Sequence, residues 1–394
     1  MAASPANAGM AASAATPQDQ VSTDLAFMAR ALELAARGIY TTTPNPRVGA
    51  VVARGGEILG EGFHRRPGEA HAEVAALDDA RARGHDPRGA TVYVNLEPCN
   101  HQGRTGACTR ALIDAGVARV VFAMRDPHAV AAGGAATLAA AGIAVTEGIA
   151  EDAAQELNVG FIARVVRGMP WVRVKLAASL DGRTALASGE SQWITGAAAR
   201  ADGHAWRARA CAILTGVGTV AKDDPQLTVR DVPTPRQPLR IVVDRHAATP
   251  PSARVLAGGN ALMVTASGGR DRASAGVDVL ELPDGNGKVD LPGMMRTLAA
   301  RGINEIHVEA GAKLVGALVD AGLVDEFLVY LAPSLIGDPA RGMAERALPL
   351  AALDARVRFA FRSVEPIGDA LRIVARVVRE PGDPLALGPT VAQR

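Results

Sequence analysis

The chain has 394 residues, 48% of them apolar, which suits two domains of roughly 100–200 residues, each with its own core. Lys and Arg total 42 against 41 Asp and Glu, so no basic field marks a polynucleotide partner, although a local cluster could still hold a small anion. Three cysteines without a secretory start argue against a disulfide framework and for the cytoplasm, and no apolar run nears the ~18 residues of a membrane span.

Residues 1–20, rich in Ala, Ser and Pro, read as a disordered tail. Leu25, Met28, Ala29 and Leu32 then give helical spacing from Val21 to Gly38. After the turn Thr43-Pro44-Asn45-Pro46, Val48–Val52 and Ile58–Phe63 read as strands joined by Gly55-Gly56. A helix over His71–Arg83, a strand over Thr91–Asn95, a helix from Thr109, a strand over Val117–Met124 and a helix from Ala135 complete an alternating α/β pattern. Glu151–Met169 reads as a helical connector. Short strands follow at Trp171–Leu176, Ala210–Leu214, Arg240–Val243, Ala261–Thr265, Glu305–Val308 and Glu326–Leu331, with a helix over Ala312–Ala321. The pattern predicts two α/β domains, 21–166 and 170–380, divided near Arg167–Pro170, with residues 381–394 as a loose tail.

His71-Ala72-Glu73 opens a predicted helix, Pro98-Cys99 follows a strand, and Cys108 opens another helix. Zinc favours imidazole nitrogen and thiolate sulfur, and a catalytic zinc keeps three protein ligands and one open position. His71, Cys99 and Cys108 supply that set. Glu73, two residues from the imidazole, can take a proton from the activated water and pass it to the leaving nitrogen. The pattern is that of zinc deaminases, except that the second Cys stands nine residues after the first.

Two glycine turns mark the second half: Thr215-Gly216-Val217-Gly218-Thr219-Val220 after a strand, and Glu309-Ala310-Gly311-Ala312-Lys313-Leu314 opening a helix. Such turns present backbone N–H groups to phosphate. No G-x-G-x-x-G follows a strand, so a Rossmann fingerprint is absent.

In the first half, Thr43-Pro44-Asn45-Pro46-Arg47-Val48-Gly49, His64 with Gly68-Glu69-Ala70-His71-Ala72-Glu73, and the run Pro98 to Cys108 resemble the bifunctional riboflavin biosynthesis deaminase–reductases. In the second half, Lys175 to Arg183, Ser188 to Thr195, Thr215 to Arg230 and Glu309-Ala310-Gly311 resemble the same family. Gly106-Ala107 stands where that family carries two prolines, and Asp126-Pro127-His128-Ala129 departs from its usual turn.

The resemblance implies an N-terminal cytidine-deaminase-like α/β/α domain followed by a dihydrofolate-reductase-like α/β domain, with zinc and NADPH as cofactors. It implies that Asn45 hydrogen-bonds the pyrimidine and that His101 and Arg104 face the substrate phosphate. Asn45 is equally a turn residue between two prolines, and a solvated loop is the lesser alternative for the other two. Ala177, Trp193, Thr219, Asp223 and the turn from Gly311 would lie on the cofactor; Ser191, Arg207, Leu227, Arg230 and Glu309 would lie on the substrate. Arginine forks suit phosphate, although Arg207 in Ala205-Trp206-Arg207-Ala208-Arg209 also reads as a solvated helical charge.

The expected partners are small phosphoribosylaminopyrimidines, with no nucleic acid and no membrane, and the chain is expected to form a homo-oligomer. A cytidine, guanine or tRNA-adenosine deaminase with an unrelated appendage is the enzymatic rival. A nucleotide-binding protein with structural zinc is the other, but structural zinc takes four ligands and the motif holds three.

Overall fold

The computed structural model describes residues 16–101, 106–267, 269 and 277–380; Arg104 and the expected tail 381–394 lie outside them. The expected N-terminal tail ends before residue 20, because α1 runs over Pro17–Ala36. Thr16 and Asp19 exchange hydrogen bonds, Thr16 N–H to Asp19 Oδ2 (3.0 Å) and Asp19 N–H to Thr16 Oγ1 (3.2 Å), a capping box that starts the helix there.

Packing divides the chain into two units. The first holds residues to Ala36, Val48–His64 and Ala70–Ala154; the second holds Arg37–Arg47, Arg65–Glu69 and everything from Gln155. The border in packing therefore precedes the expected one at Arg167–Pro170. The connector groups with the second unit because Glu156 pairs with Arg376 and Arg362, and Arg167 pairs with Asp325.

In the first unit, β1 (Gly49–Arg54), β2 (Glu57–Phe63), β3 (Thr91–Leu96), β4 (Arg119–Met124) and β5 (Ala144–Glu147) form one sheet in the order β2-β1-β3-β4-β5. β1 runs antiparallel to β2 and β3; β3, β4 and β5 are parallel. A Cβ at Gly49 would stand 2.1 Å from the Ala31 carbonyl of α1, and one at Gly62 would stand 2.4 Å from the Ala76 amide of α2 (Ala72–Ala82). Gly62 pairs with Ala50, whose side chain points to the opposite face from position 49, so the two helices cover opposite faces of the sheet. This is the α/β/α layering expected from sequence. α3 (Cys108–Ala115) and α4 (Gly134–Ala140) follow β3 and β4.

The second unit begins with α5 (Glu151–Leu157, whose first turn belongs to the first unit) and α6 (Val159–Arg167). Its sheet contains β6 (Trp171–Ser179), β8 (Ala212–Gly216), β9 (Leu239–Val243), β10 (Ala261–Thr265), β11 (Asp278–Glu281), β12 (Glu305–Val308), β13 (Glu326–Ala332), β15 (Phe359–Ile367) and β16 (Ala370–Val377). The order is β11-β10-β9-β8-β12-β6-β13-β16-β15, parallel through β13 and antiparallel beyond it. A separate ribbon pairs β7 (Arg183–Leu186) with β14 (Ala340–Gly342). One sheet face is an apolar core of Val172, Val174, Leu214, Ile306 and Val308 against α9 (Leu291–Ala300) and α10 (Ala312–Asp320). On the other face lie α7 (Ala197–Arg209) and α8 (Val217–Asp223), over two smaller clusters.

Between those clusters runs a buried layer of charge. Glu305, 1% exposed, accepts from Arg47 (2.7 Å), Arg209 (2.8 Å) and Arg173 (3.2 Å), and Arg173 also pairs with Glu326. Burial alone would raise the Glu305 carboxyl, but Arg209, Arg47 and Arg173 together carry it far below the usual range. Its folded pKa lies below the unfolded value of about 4.3, so its contribution to stability is fully present above about pH 5 and is lost only as pH falls into strong acid. Removing one partner of such a set leaves buried charge unpaired, at about 3–5 kcal/mol. Glu305→Ala is therefore expected to lower the free energy of unfolding, measured by denaturant titration, by that amount at pH 7. A loss of less than about 1 kcal/mol would contradict it.

Candidate active sites

In the first unit, His71 caps the start of α2, Glu73 lies in its first turn, Cys99 follows β3, and Cys108 is the first residue of α3. Three separate elements thus deliver one cluster. His71 Nδ1 stands 3.2 Å from Cys108 Sγ and 3.5 Å from Cys99 Sγ, and all three ligand atoms lie within 4.8 Å of one another. Among the described residues, this is the one group of three or more such side chains able to hold a metal. Its soft, three-member donor set fits zinc and leaves a fourth position open.

Hydrogen bonding from Cys108, then from His71, pulls the Cys99 thiol well below its usual range, while Cys108 is pushed up as its partner. The Cys108 amide also points at Cys99 Sγ (3.4 Å), so the start of α3 favours a thiolate there. Glu73 is 3% exposed, and burial, followed by the charge on Cys99, pushes its carboxyl up to about 7. A cleft of about 490 Å³ opens beside His71, lined by Val74, Arg110 and Ala111 among others.

Glu97, which sequence reasoning passed over, holds the neighbouring loop. Its carboxylate accepts from the backbone N–H groups of Asp126 (3.2 Å) and Ala135 (2.9 Å). Ala131 of that loop packs with Cys99 and Cys108. His64 lies edge-on to His71 with ring centroids 5.4 Å apart, and His101 is half-buried. Asn45 sits in the segment that groups with the second unit, its amide donating to the Thr42 carbonyl (2.8 Å).

In the second unit the glycine turns follow the carboxyl ends of the adjacent parallel strands β8 and β12, the usual position for a ligand in such a sheet. Gly311 caps α10, and a Cβ there would lie 3.9 Å from Thr219 Oγ1, so these two expected cofactor residues come together. The Thr215 hydroxyl, buried at the end of β8, has no hydrogen-bond partner among the described residues. A helix start, two glycine turns and an unanswered hydroxyl fit a phosphate-bearing cofactor such as NADPH. Asp223 closes α8 and is exposed. Trp193 is 70% exposed and stacks with Arg200 at 4.4 Å from its ring centroid, on the loop that also carries Ser191. Ala177 pairs with Tyr330 between β6 and β13.

The expected substrate residues Arg207 and Glu309 are bound to each other. Both Glu309 oxygens accept from the Arg207 fork, and Arg207 NH1 donates to the Thr228 carbonyl (3.1 Å). The fork expected to meet phosphate is thus turned on a carboxylate. Arg230 is exposed and touches Gln226 and Thr228 Oγ1 only at 3.4 Å, next to buried Leu227. Burial alone would raise Glu309, but Arg207 carries it well below the usual range, so it is ionised. Burial lowers the pKa of Lys175, which faces the Tyr330 ring at 5.6 Å, with Glu309 offsetting part of the shift.

Residues 21–124 match the family model described as "Cytidine and deoxycytidylate deaminase zinc-binding region", and residues 170–372 match "RibD C-terminal domain". Escherichia coli riboflavin biosynthesis protein RibD is 48% identical over 87% of this chain and 96% of its own. The chain belongs to the RibD family. Its Mycobacterium tuberculosis member is 40% identical over 85% of this chain and 93% of its own. The solved structure of Acinetobacter baumannii RibD matches with a TM-score of 0.83 at 40% identity, covering 91% of this chain and all of that one. The Thermotoga maritima diaminohydroxyphosphoribosylaminopyrimidine deaminase/5-amino-6-(5-phosphoribosylamino)uracil reductase matches with a TM-score of 0.83 at 34% identity, covering 91% and 99%. The chain is a riboflavin biosynthesis enzyme with a zinc-dependent deaminase half and an NADPH-dependent reductase half.

Cys99→Ser and Cys108→Ser should each weaken zinc by more than the roughly 10–100-fold typical of losing an outer partner of a metal ligand. Competition with a chromogenic chelator measures this, and NADPH oxidation by the reductase half should be unchanged. Full zinc retention in both variants would rule the cluster out as the metal site.

Proposed function

We propose that the domain over 21–166 hydrolyses the exocyclic amine of 2,5-diamino-6-(5-phosphoribosylamino)pyrimidin-4(3H)-one. The domain over 170–380 then reduces the ribosyl group of 5-amino-6-(5-phosphoribosylamino)uracil to ribityl. The observation that carries the first step is a buried carboxylate, Glu73, set beside a three-ligand cluster with an open position. Zinc, when bound by His71, Cys99 and Cys108, supplies the Lewis acidity that makes water a nucleophile at neutral pH. Glu73 takes a proton from that water as its oxygen bonds to the ring carbon, and returns it to the exocyclic nitrogen, which leaves as ammonia. Asn45 holds the pyrimidine.

NADPH, when bound, would supply the hydride for the ring-opened sugar C1, and one proton must reach the substrate to balance it. Glu309 is ionised and cannot give that proton, and Asp223 lies exposed at the end of α8. Lys175, buried and with its pKa lowered, is the donor this geometry favours. Ala177, Trp193, Thr219, Asp223 and Gly311 hold the cofactor; Ser191, Leu227, Arg230 and Glu309 hold the substrate, with Arg207 behind Glu309. Arg230, exposed and held by side-chain contacts no shorter than 3.4 Å, is the one to meet phosphate.

Self-association also belongs to this reading. β15 is the outer strand of its sheet, with Phe361 70% and Val364 52% exposed, an apolar edge that a second copy would cover. We place the enzyme in the cytoplasm, where free buried cysteines stay reduced. No helix among the described residues is long and apolar enough to cross a membrane.

Glu73→Gln keeps the shape but cannot accept a proton. Ammonia release should fall about 10²–10⁴-fold with zinc content unchanged; loss of zinc would show that Glu73 is a ligand. Arg230→Ala should raise the KM for the phosphorylated intermediate roughly ten- to hundredfold, as for one charge-assisted hydrogen bond. The KM for NADPH should hold, and Arg230→Lys should restore only part, since lysine presents no planar fork. Weakened NADPH with an unaltered intermediate would assign Arg230 to the cofactor.

A further inference from the structure

β12 places Glu305, His307 and Glu309 on one face at strand spacing, with Glu309 just past its end. Glu305 has three arginines and Glu309 has Arg207. His307 between them is 0% exposed, and among the described residues its ring nitrogens make no well-formed hydrogen bond, only one long contact. That contact is to Glu309 Oε1, 3.5 Å from Nε2. Across the sheet it pairs with Arg173 on β6 and Ile213 on β8.

A buried imidazole without full hydrogen bonding costs folding free energy that a leucine there would not. A position that keeps such a group calls for a reason other than stability.

The carboxylate of Glu309 supplies one. A carboxylate has about four acceptor sites. Arg207 fills one on each oxygen, and His307 faces Oε1 again. One site, on Oε2, is left. We propose that His307 is a positioning residue of the reductase: it holds Glu309 Oε1 so that Oε2 alone is presented, to a single ribose hydroxyl of the substrate. Burial, with Arg173 and Arg207 nearby, keeps the imidazole neutral against the pull of Glu309. A neutral donor steadies the carboxylate without adding a third positive charge beside Lys175 and Arg207. This rests on Glu309 binding the ribosyl substrate, as proposed above.

The test uses the full zinc-loaded chain carrying His307→Leu, His307→Gln or Glu309→Gln. With the deaminated intermediate varied, His307→Leu should raise its KM roughly tenfold, while the KM for NADPH and the rate of ammonia release hold. Its melting temperature should be unchanged or higher by roughly 2–4 °C. His307→Gln keeps a donor and should recover most of the KM. A lower melting temperature with an unaltered KM would make His307 a purely structural residue and overturn the inference. Glu309→Gln separates the two readings. If it raises the KM strongly and His307→Leu does not, only the role of His307 fails. If Glu309→Gln leaves the KM untouched, the assignment of the substrate site fails with it.

Discussion

A charge taken out of water must be met by opposite charge or by hydrogen bonds, at a cost of several kcal/mol if it is not. The second unit takes out a whole layer. Arg173, Glu305, Glu326 and Arg376 interlock under α7, joined by Arg47, Arg209 and Glu156. Trp206 packs on Arg173 at 4.5 Å and so helps exclude water from the layer. The layer continues along β12 to Glu309, where the sheet opens at its carboxyl edge. The proposed substrate site is thus the outer end of a charge network, and its side chains inherit fixed positions from it. Arg207, bonded at Nε, NH1 and NH2, shows how little freedom is left there.

The first unit meets the same constraint by other means. Glu73 is buried with no cation bonded to it among the described residues, and its carboxyl rises towards neutrality. A carboxyl in that state can both accept and return a proton, as the deamination step proposed above requires. His71 and Cys108 sit at helix starts, and the Cys108 amide favours thiolate on Cys99. Glu97 fixes the loop that packs on both cysteines.

Much of this was legible in the sequence. The cluster of His71, Cys99 and Cys108, with Glu73 beside it, was readable because zinc chemistry restricts residue types sharply, and the short apolar strands β2, β3, β10, β12 and β13 fall within about one residue of expectation. What escaped has a common cause. α7 carries charged residues inward, with Arg207 and Arg209 meeting Glu309 and Glu305, so its apolar periodicity is weak. β16 does the same through Arg372, paired with Asp202, and Arg376, paired with Glu326. Inward charges erase the alternation by which strands are read. They also hid the role of Arg207: a fork suited to phosphate is equally suited to carboxylate, and only coordinates distinguish the two. Glu305, His307 and Glu309 at period two were visible as a pattern, but nothing in the pattern said that this face of β12 was buried.

The central claim is that one chain performs both steps in sequence. A single incubation of the zinc-loaded chain with the diaminopyrimidine ribonucleotide, following ammonia and NADPH together, tests it most directly. Ammonia should appear without NADPH present, and with NADPH present one NADPH should be consumed for each ammonia, after a lag set by build-up of the intermediate. NADPH consumed without ammonia, or ammonia released with NADPH left intact, would contradict the account.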